Sequence, residues 1–520
     1  MLKRPLQSNS PTMPKCRKSP TSPNARIPLP MSAPVLLSVV LGYFVLLLIV
    51  AWRTSRRADN EAFFIGNRNS HWLLVAFGMV GTSLSGVTFI SVPGTVGSQG
   101  FGYLQIVLGH VLGYLIVAFV LVPLYYRQGV SSIYHYLDGR FGPRSYRTGA
   151  AFFIASRTLG ATARLYLVVR ILQDSVLERM GVPFWLTAAV ILLMIVLYTV
   201  EGGVKTIVWT DTLQTAGMLL GLLVCTGFLL HRLDLGPAEG LARLQQQGLA
   251  TLWGTDPLGR GFWLKQVLAG VFIAVAMTGL DQEMMQKNIS VSTVRGSQKN
   301  VIVLSLTLLA VVALFLYLGG LLHLYAPTVG LAAAGDKLFA AVVLGHLPAW
   351  VQLLFVLALI SALFPSADGA LTALTASTCI DLLGLQRRPD WNAARQLRVR
   401  RQVHLAFAAL FLGLVLAFRW LDDPSMIGLI LKLAGYTYGP LLGLFAFGLL
   451  TRRRVQDGWV PAIALASPLF AGLIDANQRL LFGRYEIGLE LLLVNAAITF
   501  GGLWLASAPA AQTPSASATR

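Results

Sequence analysis

The sequence predicts an all-α polytopic membrane protein, and three observations carry that prediction. Of 520 residues, 55% are hydrophobic and 12% charged, with a mean hydropathy of +0.67, which is far from the composition of a water-soluble domain. Apolar stretches long enough to cross a hydrocarbon core recur about thirteen times along the chain. The formal charge of +19 lies in short loops between those stretches rather than on one basic surface. That placement is the positive-inside pattern and argues against a nucleic-acid partner.

The stretches fall at 33–52, 72–95, 102–126, 147–174, 182–200, 206–230, 263–285, 300–325, 350–382, 402–421, 426–450, 457–475 and 487–507. The first runs straight into Arg53, so it reads as a span rather than a cleaved signal peptide. The second contains Gly81-Thr82-Ser83-Leu84-Ser85-Gly86 and then Pro93-Gly94, a break by small and hydroxyl residues within the apolar stretch. Backbone leaves helical geometry in a bilayer only where protein or a wet cavity satisfies it, so such a break marks a transporter binding site. The fifth and sixth stretches are divided by a turn at Gly202-Gly203, after which Asp211 falls inside a span. An intramembrane carboxylate is a functional candidate by default, with a structural hydrogen bond to threonine or backbone as the alternative.

In the ninth stretch Asp368, Thr372, Thr375 and Thr378 are spaced four, three and three residues apart and share one helical face. Hydroxyls and a carboxylate on one face suit a hard monovalent cation; the competing reading is hydroxyls bonded back to their own helix carbonyls. Of the three cysteines, Cys225 and Cys379 fall inside spans and no spacing resembles a metal site.

With residue 33 outside, the inner loops hold Arg53, Arg56, Arg57 and Arg68, then Arg127, Arg140, Arg144 and Arg147, then Lys205. Lys287, Arg295 and Lys299 follow, then the cluster from Arg387 to Arg401, then Arg452-Arg453-Arg454. The N-terminus is thus expected outside and the C-terminus in the cytoplasm of a cell membrane, of the bacterial inner-membrane type. Residues 1–30, Pro/Ser-rich and basic, read as a disordered tail with Met31 as an alternative start. Residues 31–507 form the membrane domain, and 508–520 a second disordered tail. The longest polar loop, 232–261, is too short for a further domain.

Four segments resemble the sodium/solute symporter family, the group of sodium-coupled glucose, proline, pantothenate, multivitamin and sialic acid carriers. They are Tyr136–Gly142, Glu201–Thr215, Gly279–Lys287, and Tyr438-Gly439-Pro440 followed by Arg452–Arg454 and Gly458. The resemblance runs in order from about residue 35 to 505. It implies a leucine-transporter-like fold of two inverted five-helix repeats with extra helices outside them. It also implies a sodium site built from the carbonyls of Gly81 and Leu84 with Thr372, Thr375 and Ala376. Ala376 departs from the family, which usually has a hydroxyl there. Asp211 matches the family carboxylate linked to sodium coupling. Thr378 and Cys379 match positions near a second sodium site of some members, and Cys379 is a poor hard-ion ligand, so one sodium per cycle is expected.

The substrate pocket is then expected beside the break, among Thr88, Gln105, His110, Arg157, Arg164, Met277, Tyr436 and Tyr438. Ala274 and Met277 stand where glucose-type members place sugar-contacting polar residues, which argues against a simple hexose. Arg157 and Arg164, seven residues apart on one face, each require an anionic partner in a membrane. A solute carboxylate suits a guanidinium fork; a protein carboxylate or a lipid headgroup is the alternative. His110 reads as a packed polar residue in preference to a proton relay, and Tyr436 and Tyr438 could gate or stack, with aromatic packing explaining them equally well.

The expected function is sodium-coupled symport of a small organic solute, possibly carboxylate-bearing, by a monomer embedded in the lipid bilayer with Na+ as the co-transported ion. A proton-coupled symporter, with Asp211 and Asp368 titrating, is the alternative. A polytopic membrane enzyme is disfavoured, because neither His135 nor His404 has an evident acid/base partner.

Overall fold

Two short helices replace the second apolar stretch in the computed structural model, which describes residues 33–55, 70–129, 132–387, 390–420 and 426–509. After α1 (Ala33–Ser55), α2 (Trp72–Ser83) and α3 (Gly86–Gln99) meet at a 56° bend. Ser85 is extended there (φ −72°, ψ 172°). Glycines flank the bend because neighbouring helices press on it. A Cβ on Gly81 would sit 2.2 Å from Thr215 Oγ1, and one on Gly86 2.3 Å from Val168 Cγ2.

The next span runs from α4 (Tyr103–Ile116) through a π-helical turn into α5 (Val122–Gln128). A short α6 (His135–Arg140) leads to α7 (Pro143–Leu172). In α8 (Phe184–Leu233), Gly203 takes φ +55°, ψ −156°, which divides the helix at the turn read from the sequence. After α9 (Pro237–Gln246), α10 (Trp263–Ala274) and its π-helical extension to Gly279 meet α11 (Gln282–Ile289) at 64°. This second break lies five spans after the first.

The carbonyls that the second break frees are taken by tyrosines: Tyr125 donates to Gly279 O (2.8 Å) and Tyr134 to Leu280 O (3.0 Å). Such replacement partners are what a low-dielectric interior demands. The chain continues through α12 (Val294–Tyr325), α13 (Leu338–His346), α14 (Ala349–Ser377) and α15 (Ala393–Phe418). A third bend, of 46°, separates α16 (Met426–Thr437) from α17 (Gly439–Leu450), and Asn495 donates to the carbonyls of Gly435 (3.0 Å) and Tyr436 (2.7 Å). α18 (Val460–Ala476), α19 (Gln478–Phe482) and α20 (Leu491–Leu505) complete the helices.

Among the described residues, seven helical segments are long and apolar enough to cross a membrane. Three bent pairs pass the same test, and three shorter apolar helices accompany them. Each apolar stretch read from the sequence coincides with one of these. The surface is apolar where a soluble protein would be polar: Leu193, Leu223, Leu469 and Phe470 are exposed, while Arg157, Asp211, Glu283, Lys287 and Asp368 are buried. That inversion fits a lipid surround.

Three of the arginine-bearing loops meet, those holding Arg140, Arg387 and Arg453. Arg140 donates to the carbonyls of Gly448, Thr451 and Arg453, and Arg387 pairs with Asp138 at 3.1 Å. Arg56, Arg57, Arg68 and Arg388 lie outside the described residues. So do both expected tails, except Ala508 and Pro509. Ala508 is not tail: β2 (Ser507–Ala508) pairs antiparallel with β1 (Arg454–Val455). Lys287 is a clear departure from the loop reading, being buried in α11 within a bent span.

α4 and α10 approach through glycine. A Cβ on Gly109 would lie 2.1 Å from Val267 O, one on Gly113 2.3 Å from Val271 O, and one on Gly270 2.2 Å from Ile106 O. Small residues let membrane helices pack backbone to backbone. Gly109→Ala is therefore expected to lower stability by about 1–3 kcal/mol through overpacking. Thermal denaturation in detergent measures this; an unchanged Tm would contradict the close-packing account.

Candidate functional site

The bend between α2 and α3 opens onto a cavity of about 120 Å³. Thr82–Ser85 and Thr88 form one wall, with Tyr103 and His110 of α4, Arg157 and Arg164 of α7, and Met277 facing them. Thr88, His110, Arg157, Arg164 and Met277 thus come together, as does Leu84 at the rim. Gln105 does not line the cavity: its amide donates to Gly102 O (3.1 Å), one turn back on its own element. Tyr436 is elsewhere too, donating to Asp475 at 2.7 Å and packing with Ala471 and Leu491. Two residues apart near the helix end, the two tyrosines point to nearly opposite sides, which explains the split. Tyr438 instead borders a small void shared with Arg157 and Arg164 and donates to Asp281 Oδ2 at 2.6 Å.

The two arginines have different surroundings. Arg157 forms an ion pair with Glu283, and its Nη1 lies 3.7 Å from Asp281 Oδ2. The solute carboxylate expected at Arg157 is therefore replaced by protein carboxylates, both from the second break. A buried guanidinium takes the nearest desolvated anion, and α11 supplies two. Arg164 lines the cavity and has no ion-pair partner among the described residues.

Beneath the bend lies a second set of buried charges. Lys287 Nζ donates to Asp211 Oδ2 at 2.7 Å and to Thr82 Oγ1 at 2.6 Å, with Glu283 Oε1 at 3.4 Å. Asp211 Oδ1 has no hydrogen-bond partner among the described residues. The last carbonyls of α2, Gly81 and Leu84 included, lie at a helix end, where no amide of the next turn follows in register. α2 packs against both α8 and α14.

On α14 the predicted ligands do not all point one way. Asp368 accepts from Tyr198 (2.7 Å) and from the Gly369 amide (2.5 Å). Thr375 donates to Leu371 O (2.7 Å), and its oxygen lies 3.0 Å from His404 Nδ1. The Nε2 of His404 meets Thr199 at 2.9 Å. Of these predicted ligands, Thr372 and Thr378 keep buried hydroxyls without partners among the described residues, and Ala376 is buried with no side-chain oxygen to give. α14 ends before the predicted helix does, and Thr378 begins a π-helical turn to Leu382.

Asp281, Glu283 and Lys287 were not legible as site residues by spacing alone. The available signal was three ionised residues, Glu and Lys four apart, directly after an apolar stretch that ends in glycine. Loop placement and burial give the same pattern on paper, and only the 64° turn of α11 back into the protein separates them.

Comparison with known proteins gives a consistent result. The sequence profile of the sodium:solute symporter family matches residues 63–464. The human sodium/iodide cotransporter is 25% identical over 429 residues, 78% of this chain and 65% of that protein. The sodium-dependent multivitamin transporter of Oryctolagus cuniculus is 27% identical, covering 74% of this chain and 61% of its own length. Sodium-coupled monocarboxylate transporter 1 of Mus musculus is 24% identical, covering 80% and 67%. The chain thus spans about two thirds of the length of these relatives. Among solved structures, a substrate-bound, outward-open Na+-coupled sialic acid symporter superposes with a TM-score of 0.78 at 18% identity, over 91% of this chain and 97% of that one. A nucleobase-cation-symport-1 family transporter in a closed conformation follows at 0.52 and 13%, over 85% and 93%. The architecture is the leucine-transporter-like fold.

Proposed function

Because the chain belongs to the sodium:solute symporter family, we propose that it is a sodium-coupled secondary active symporter importing a small carboxylate-bearing solute by alternating access. The observation that carries this reading is the meeting of α2, α8 and α14 at the broken helix. There Asp211 Oδ1 and Thr372 Oγ1 are buried oxygens without hydrogen-bond partners among the described residues, and the cavity at the bend holds the guanidinium of Arg164. A buried carboxylate oxygen lacking a donor favours a cation, and oxygen ligands favour a hard one. The carbonyls of Gly81 and Leu84 with Thr372 supply the first ligands. Thr375, whose hydroxyl proton goes to Leu371 O and whose oxygen also meets His404 Nδ1, contributes a remaining lone pair, and Ala376 contributes none. Cys379 is a poor hard-ion ligand for a second site, so the reading is one sodium per cycle. Asp211, Asp368 and Thr378 tune that site.

Sodium bound across the bend and α14 stabilises one relative placement of these helices and orders the neighbouring cavity. By linkage, solute then raises sodium affinity by the factor that sodium raises solute affinity. Each sodium entering at 100 mV adds about 2.3 kcal/mol of driving free energy. Arg164 accepts the solute carboxylate, as fits sodium-coupled monocarboxylate and sialic acid relatives. The protein works as a monomer in the cell membrane, N-terminus outside and C-terminus inside. A second reading, proton coupling, rests on Asp368, a buried carboxylate whose hydrogen bonds come from Tyr198 and the Gly369 amide rather than from a cation.

The test is a thermal-shift screen of purified protein against small carboxylates, sugar acids and vitamins, in sodium and in potassium. A solute that stabilises in sodium alone is expected, by about 2.7 kcal/mol when present at 100 times its Kd. Equal stabilisation in both salts overturns sodium coupling and favours the proton reading.

A further inference from the structure

We propose that the Lys287 ammonium is a tethered antagonist of the transported cation: it occupies Asp211 when the ion is absent, and ion binding drives it toward Glu283. This rests on the sodium-coupled reading and adds to it a residue that sets the affinity and transmits the binding event.

The geometry is specific. Lys287 Nζ touches one oxygen of Asp211 on α8 and Thr82 on α2, while the other Asp211 oxygen has no partner among the described residues. A cation on that free oxygen shares one carboxylate with the ammonium. Two like charges on a single desolvated anion repel strongly, so the bound ion weakens the hold on Lys287. An alternative acceptor is already in place, because Glu283 Oε1 lies 3.4 Å from Nζ, one turn earlier on α11. No rearrangement of the helix is needed for the exchange; a change of side-chain torsion suffices.

The site is also crowded against α14. A Cβ on Gly369 would lie 2.2 Å from Glu283 Oε1 and 3.0 Å from Lys287 Nζ. Motion of the lysine head is therefore felt where α11 crosses α14, next to Asp368. In the ion-free state Lys287 ties α2, α8 and α11 together. With the ion bound that tie is released, and α14 is joined to α2 and α8 in place of α11. The two cations thus hold different sets of helices, which is the requirement for an ion to shift a conformational equilibrium.

Sodium titration of the full-length protein, with choline keeping ionic strength constant, tests this through the midpoint of sodium-dependent thermal stabilisation. Lys287→Gln is expected to lower the midpoint about tenfold, within the ordinary range of coupling factors. Lys287→Arg, which keeps the charge, stays within about threefold of wild type. A lysine with a merely structural role would weaken sodium binding or leave it unchanged when removed; tighter binding is the discriminating direction. If Lys287→Gln fails to fold, Lys287→Met, which fills the same space without a charge and leaves Glu283 paired with Arg157, carries the same expectation. An unchanged or raised midpoint in a folded variant overturns the proposal alone. A wild type that shows no sodium effect overturns it together with the sodium-coupled reading.

Discussion

Glu283→Ala is expected to destabilise the protein by about 3–5 kcal/mol, the usual cost of leaving buried charge without its partner. Glu283 pairs with Arg157 on one oxygen and stands 3.4 Å from Lys287 on the other, with all three residues buried. Its removal leaves Arg157 with Asp281 at 3.7 Å, an anion already engaged by Tyr438. The loss appears as a lower apparent Tm and faster thermal inactivation in detergent. Removing both partners behaves differently, because an apolar pair avoids the desolvation cost of those two charges. Arg157→Met with Glu283→Met is therefore expected to be more stable than Glu283→Ala. A double variant no better than the single one would show that the pair is not the unit of stability.

Arg164→Ala is expected to weaken binding of the carboxylate solute about 100-fold, the equivalent of ~2.7 kcal/mol for a charge-assisted hydrogen-bonded pair. Thermal stability should hold or rise, since the substitution removes a cavity-lining cation that has no ion-pair partner among the described residues. The contrast with Arg157 is the informative part. Arg157→Ala is expected to act on stability through Glu283, whereas Arg164→Ala acts on affinity. Arg164→Lys keeps the charge but loses the planar fork, and recovers only part of the affinity. Isothermal titration with the solute found in the screen reads both variants. Unchanged affinity in Arg164→Ala, or a neutral solute emerging from the screen, would remove Arg164 from the binding site.

Much of the architecture was legible in the residue pattern because it follows from local chemistry. Helix breaking at Gly81–Gly86 and at Gly202-Gly203 needs only backbone freedom within an apolar stretch, and both sites bend as read. Asp211 was placed inside a span by length alone and is fully buried. The burial of Lys287, in contrast, required knowing that α11 turns back into the protein. A lysine after an apolar stretch reads as a loop cation whenever that turn is invisible.

Side-chain direction is where sequence reasoning stopped. Helical spacing placed Asp368, Thr372 and Thr375 on one face, yet Tyr198 and His404 draw two of them toward other helices. Spacing likewise made Arg157 and Arg164 equivalent, and Glu283 made them different. What the sequence determined by itself was the membrane class, the broken helices and the family pattern, because hydropathy and backbone freedom are carried by each segment alone. Only the tertiary structure decided which charges neutralise one another. Pairing in a low-dielectric interior is a contest among neighbours from distant segments, and no single segment records who those neighbours are.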